Sequence, residues 1–275
     1  MLRKLLKYDF RAVFKYWWIA AVASLGLCIV GGFCINVLNA ERDLPAVVDS
    51  SAITVLVLSI FSLFAFSVLS TILIFVRFYK NLFTDEGYLT FTLPVKRSSL
   101  INSKLIMSVT ALIATLITIA FNVVVMLCIG FGEKIFTAAF WKTVISIIKE
   151  IITKLGIYTA VYAFEGILIG LLFIILSVLF LFCCITLASI ITKKAKVITA
   201  IGIYYGANSV FSFAVQIFML FGAQGIFERI STVPDSKQYL IFSIVLLGII
   251  ALFGVFCSML YTLQYWMLDR KLNLS

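Results

Sequence analysis

Few side chains in this sequence can carry chemistry. In 275 residues there are twelve acids, six cysteines and no histidine. Without histidine there is no Ser-His or Cys-His pair to activate a nucleophile. The H-E-x-x-H metal motif and the G-x-S-x-G elbow are both absent. Cys28, Cys34, Cys128, Cys183, Cys184 and Cys257 fall in apolar stretches and lack the spacing of a zinc site, so they read as small buried hydrophobes. Glu165 is the one acid inside a long apolar stretch, and a carboxylate dyad would need a second. No G-x-x-x-x-G-K-[ST] phosphate loop occurs. The expectation is a chain that is not itself catalytic and binds no cofactor or metal.

Isolated polar residues remain. An intramembrane carboxylate such as Glu165 is by default a functional residue, for protonation or for substrate contact. The competing reading starts its span late and leaves Glu165 at the outer interface, because its apolar stretch is longer than a bilayer needs. Asn208, Ser212 and Gln216 accompany Phe211, Phe213 and Phe218 in a candidate cargo-facing region. Asn122, Asn208 and Gln216 either line a path or bond across helices. The strings Gly166-Ile-Leu-Ile-Gly170 and Gly202-Ile-Tyr-Tyr-Gly206 permit close helix approach, expected within one chain rather than at a dimer seam.

The elements that position these residues follow from composition. The chain is 63% apolar and 12% charged, against about half and a quarter for a soluble domain. That excess implies lipid as solvent. Several apolar stretches exceed the ~20 residues a crossing helix needs, which predicts an all-α membrane protein rather than a β-barrel. The net charge of +10 is assigned to span flanks facing lipid headgroups, and no basic run is long enough for a nucleic-acid arm. Six spans are expected at about 18–38, 52–76, 105–131, 157–191, 197–221 and 239–267, in a transmembrane domain over 18–267. The first is read as a retained span, its apolar stretch being too long for a signal peptide.

Two amphipathic segments stand outside the spans. In residues 1–17, Leu2, Leu5, Leu6, Phe10, Val13, Phe14 and Trp17 recur at helical spacing among Arg3, Lys4, Lys7, Arg11 and Lys15. In residues 133–155, Phe136, Phe140, Val144, Ile147, Ile148, Ile151 and Leu155 form one stripe opposite Lys134, Lys142, Ser146, Lys149, Glu150 and Thr153. Both patterns suit helices lying in the headgroup plane; the second alternatively packs against the outer ends of the bundle. Of the 22 Lys and Arg residues, fifteen flank one side of the spans and seven the other. The positive-inside rule then places both termini in the cytoplasm, with residues 77–104 as a cytoplasmic segment and 133–155 outside. The expected location is a cell membrane crossed several times.

Residues 77–104 break the apolar pattern. Asp85-Glu86-Gly87 reads as a turn and helix start, since acids near a helix N-terminus complement its dipole. Tyr-Leu-Thr-Phe-Thr-Leu is then a short apolar helix, ended by Pro94, which cannot continue the hydrogen-bond ladder. Ser98 is a plausible N-cap for the third span. Apolar surface held there is either buried in lipid or offered to a partner.

This string, DEGYLTFTLPVKRSSLINSKLI, resembles the cytoplasmic loop of ABC-2-type transporter permeases. The matching positions are Glu86, Gly87, Leu89, Leu93, Pro94 and Lys104; where the family opens E-x-G-T, this chain has D-E-G-Y. The resemblance implies an N-terminal elbow helix at 1–17 and a coupling helix at 87–93 that docks on a separate ABC ATPase subunit. Asp85 and Glu86 would orient that joint, and Tyr88, Leu89, Phe91 and Leu93 would supply its apolar contact. It also implies a second permease copy or paralogue, with ATP and Mg held by the partner ATPase. The rival expectation is an ATP-independent secondary carrier or a membrane scaffold. Carriers often show internal repeats, and no clear repeat relates the first three spans to the last three. Peptides, lipids and hydrophobic drugs all remain open as cargo.

Overall fold

A computed structural model describes residues 2–39, 45–83, 97–132, 137–192, 195–218, 220 and 235–270. Among them are seven long helices: α1 (Leu2–Asn39), α2 (Ala46–Phe83), α3 (Arg97–Gly130), α4 (Ala138–Leu155), α5 (Tyr158–Ile191), α6 (Lys196–Phe218) and α7 (Asp235–Arg270). All but α4 are long and apolar enough to cross a membrane, as the six expected spans require. The chain is therefore a multi-pass helical membrane protein by length and composition.

One boundary differs from expectation. Residues 1–17 do not form a separate element before the first span, because α1 runs unbroken from Leu2 to Asn39. No proline or glycine interrupts the chain before Gly26, so nothing stops the hydrogen-bond ladder. The buried line on its first turns is Asp9, Val13 and Trp17, continued by Ala21, Ser24 and Cys28.

The described residues divide into two compact units. The first holds residues 1–78 and 106–150. Within it α1 and α3 run parallel, and two hydrogen bonds share one sequence offset. Trp17 Nε1 donates to Thr115 Oγ1 at 2.9 Å, and Asn122 Nδ2 donates to Ser24 Oγ at 2.9 Å, both 98 residues apart. The second pair lies one heptad beyond the first, as expected for helices sharing a 3.5-residue seam. A heptad further on, side chains give way to glycine. A Cβ on Gly32 would stand 2.8 Å from Ile129 Cβ and from the Met126 carbonyl oxygen, and one on Gly130 would stand 2.7 Å from Ile35 Cβ. Small residues thus bring the backbones together, which is how helices associate where lipid removes the hydrophobic drive. α2 runs antiparallel against α1, with Phe66 on Trp17 at a ring separation of 5.7 Å and Arg77 paired with Asp9 at 3.0 Å.

The second unit holds residues 79–105 and 151–275. Here α5 packs along both α7 and α6. α5 and α7 are parallel: Tyr162 donates to the Tyr239 carbonyl, and Gln264 Nε2 donates to Thr186 Oγ1 at 2.7 Å, at offsets of 77 and 78 residues. α5 changes character along its length. Val178, Leu179, Leu181, Phe182, Cys183, Cys184, Ile185, Thr186 and Ala188 are all buried, whereas before Val178 only Glu165 is. Lys104, near the start of α3, belongs to this unit and is buried.

α4 has no buried residue. Phe140, Trp141, Ile145, Ile147, Ile148, Ile151 and Ile152 are all exposed. It ends at Gly156, whose φ of +55° lies in the left-handed region that glycine enters without a Cβ penalty. The Gly156 amide donates to the Ile152 carbonyl at 2.8 Å, and α5 begins two residues later.

Candidate functional site

The expected ATPase-coupling residues Asp85, Glu86, Gly87, Tyr88, Leu89, Phe91, Leu93 and Pro94 lie outside the described residues. The segment that holds them joins Phe83, the end of α2, to Arg97, the start of α3.

The other candidate, Glu165, has defined surroundings. It lies two turns into α5 and is only 3% exposed. Ser243 of α7 donates its hydroxyl to Glu165 Oε1 at 2.5 Å, while the buried Oε2 has no hydrogen-bond partner. Tyrosines frame the carboxylate's end of the seam. One turn back on α5, Tyr162 gives its hydroxyl to the Tyr239 carbonyl at 2.7 Å. Its ring meets Phe242 edge-on at 5.4 Å, and Tyr158 stacks on Tyr239 at 5.8 Å. These rings are part-exposed, so the carboxylate lies behind an aromatic rim rather than in the centre of a packed core. Neither α5 nor the stretch of α7 after Lys237 and before Asp269 contains another charged residue.

Depth follows from helix geometry. Glu165 precedes Ile191, the end of α5, by about 39 Å at 1.5 Å per residue. The hydrocarbon core is only ~30 Å thick. With the Ile191 end at one edge of the core, beside Lys193 and Lys194, an upright α5 carries Glu165 to the opposite headgroup layer, where tyrosine concentrates.

Asn208, Ser212 and Gln216 follow one another at four-residue steps on α6, which places them on one face, and all three are exposed. They are not brought to the Glu165 carboxylate, whose hydrogen-bond partner is Ser243 of α7. Asn122 does bond across helices, to Ser24.

The glycine expectation is corrected. A Cβ added at Gly166, Gly170, Gly202 or Gly206 would meet nothing within 4 Å, so neither string packs closely against another helix among the described residues. The close approaches are at Gly31, Gly32 and Gly130. A G-x-x-x-G match marks a face that can pack closely, but the partner must still be present.

Sequence reasoning did not find Ser243, the tyrosine rim or the Asp9–Arg77 pair. Asp9 is 2% exposed and takes hydrogen bonds on Oδ1 from Arg77 Nε at 3.1 Å and Nη2 at 3.0 Å. Its signal was an acid four residues before Val13 and eight before Trp17, on the buried face of a helix otherwise rich in Lys and Arg. Among the described residues no three His, Cys, Asp or Glu side chains gather to hold a metal. All six cysteines are free thiols.

No family model, curated protein or solved structure matches the chain.

Proposed function

We propose that this chain is the membrane-spanning permease subunit of an ABC-2-type exporter. A separate ATPase closes around ATP, moves the helix at 87–93, and so changes access through the span bundle. The observation that carries the reading is the acid-glycine-leucine-proline string, Asp85 to Pro94, placed between the second and third of six apolar helices. The excess of Lys and Arg on that side supports a cytoplasmic position. Lys104, the lysine that the resemblance places at the opening of the next span, is buried rather than spread among headgroups. A buried lysine needs compensating partners, which suits a fixed joint better than a solvated flank. α4 would lie in the outer headgroup layer, apolar side to lipid and Lys142 and Lys149 to water or phosphate.

The rival, an ATP-independent carrier, draws on Glu165, since ion-coupled carriers hold carboxylates among their spans. Affinity purification of the tagged chain in mild detergent separates the two. The exporter reading expects a stoichiometric soluble subunit with a phosphate-binding loop, lost on Leu89→Asp. Recovery of the folded chain with no ATPase across several detergents, or retention of ATPase and transport by Leu89→Asp, would overturn it.

A further inference from the structure

One oxygen of Glu165 has no partner, although its neighbours Ser243 and Tyr162 are hydrogen-bonded. Its carboxylate is 97% buried by its 3% exposure, with Oε1 held by Ser243 and Oε2 bare. Enclosing an unpaired carboxylate oxygen is costly, and such groups are met by a proton or by a cation. No lysine or arginine lies on α5, and the nearest on α7, Lys237, is exposed six residues before Ser243. Among the described residues no second acid gathers here to hold a hard metal ion, which takes six or more oxygens. Tyr162 spends its hydroxyl on the Tyr239 carbonyl. At this end of the seam the side chains are aromatic: Tyr162 is one turn from Glu165, Phe242 adjoins Ser243, and Tyr158 stacks on Tyr239 a turn further out. A carboxylate with ring faces is the composition that recognises ammonium and quaternary ammonium groups.

The adjoining surface fits the rest of such a molecule. Phe164 and Ile167 lie on one flank of α5 and are exposed and apolar, and a Cβ at Gly166 or Gly170 would meet open space. An upright α5 puts Glu165 at headgroup depth. A molecule with its charge there and its tail along Phe164 and Ile167 is an amphiphile.

We infer that Glu165, Ser243, Tyr158, Tyr162 and Tyr239 form a binding site for the ammonium head of a cationic amphiphile. The carboxylate pairs with the charge, Ser243 fixes the carboxylate through Oε1, and the tyrosines close over the head. Such a molecule has two sources, a free amine entering from the outer leaflet or the choline head of a lipid. As a step in export the site rests on the exporter reading; as a binding site it does not.

The test uses the full chain in phosphatidylglycerol nanodiscs, which contain no amine lipid, and a dodecylammonium probe carrying a diazirine beside the head. Labelling is mapped by mass spectrometry. Expected is labelling centred on residues 158–170 and 239–247, competed by dodecyltrimethylammonium and not by dodecyl maltoside. Glu165→Gln should lower it about tenfold or more, equivalent to 1.4 kcal/mol. This variant retains an oxygen for Ser243 and removes the bare charge, so thermal stability should not fall. Ser243→Ala, which leaves the charge in place, should weaken labelling less. Tenfold loss on adding phosphatidylcholine identifies the lipid head as occupant; no loss identifies the free amine.

Equal labelling by an uncharged probe of the same length would overturn the site. So would labelling unchanged in Glu165→Gln, or a Glu165-dependent gain in thermal stability from sodium chloride alone. The labelling requires no ATPase, so its failure beside an intact ATPase complex refutes this site and leaves the exporter reading standing. Labelling without any ATPase partner does the reverse.

Discussion

Replacing Gly32 by alanine is expected to force α1 and α3 apart. The new methyl would lie 2.8 Å from the Met126 carbonyl oxygen and from Ile129 Cβ. Carbon atoms in contact prefer 3.5–4.0 Å, so the gap must widen by about 1 Å. One obstacle is backbone, which cannot rotate away as a side chain can. Overpacking of this kind costs about 1–3 kcal/mol. Alanine also gains about 1 kcal/mol over glycine in a helix interior, and that gain would mask the clash. Gly166→Ala supplies the reference: the same propensity gain, with nothing within 4 Å of its Cβ. The difference between the two variants therefore isolates the seam. It should be about 1–3 kcal/mol, with Gly166→Ala at or above the parent. Thermal or denaturant unfolding in a fixed detergent, followed by tryptophan fluorescence, measures it. Trp17 reports on this seam directly through its bond to Thr115. Equal stability of Gly32→Ala and Gly166→Ala would refute the close α1–α3 approach and the heptad register built on it.

Arg77→Ala removes the guanidinium from a 2% exposed Asp9 and should lower unfolding stability by about 2 kcal/mol, below the usual 3–5 because Arg77 is itself partly exposed; Arg77→Lys should recover part of that loss, and a loss under 0.5 kcal/mol would show that the pair is not holding α1 to α2. For α4, a variant with Trp141 as its sole tryptophan is expected to be quenched by brominated lipid at shallow depth. The quenching should hold in phosphatidylglycerol vesicles, and Lys142→Glu with Lys149→Glu should weaken it as polar-face charge turns negative; fluorescence indifferent to bromine would place α4 in water.

The six spans were legible because length and apolarity act along one helix at a time. Leu105 to Phe131 reads as a span whatever touches it. The faces were harder to read. In a soluble helix a polar stripe marks water, but here Ile129 in a seam and Ile167 on an open face are equally apolar. Only small and polar residues distinguish them. Seam members such as Trp17, Ser24, Thr115 and Asn122 stand seven apart on both helices, a signal readable only once the helices are known to be neighbours. The glycine strings failed for the converse reason, since Gly166 and Gly170 offer a close-packing face and nothing described in this chain occupies it. Glu165 was legible as an isolated acid. Ser243 was not, because a serine 78 residues away inside another apolar stretch carries no mark of its partner.

The asymmetry of α5 gives Glu165 its mechanical setting. From Val178 to Ala188 the helix is enclosed almost all round, and Thr186 and Gln264 are fully buried where they bond across to α7. Parting the helices there would expose polar groups to lipid along with tightly packed side chains, so that half resists motion. Three heptads earlier the same two helices are joined by Ser243 and Glu165, with open glycines beside them and exposed Phe164 and Ile167 on one flank of α5. The Glu165 end has fewer buried contacts to lose, and local opening is drawn from such regions. A seam anchored at one end and loose at the other would part first at the Glu165 end. Its loose end coincides with the bare Glu165 oxygen, so an occupant that pairs with the charge would favour whichever spacing of α5 and α7 admits it. Under the exporter reading this is the element on which cargo and ATPase would act from opposite ends.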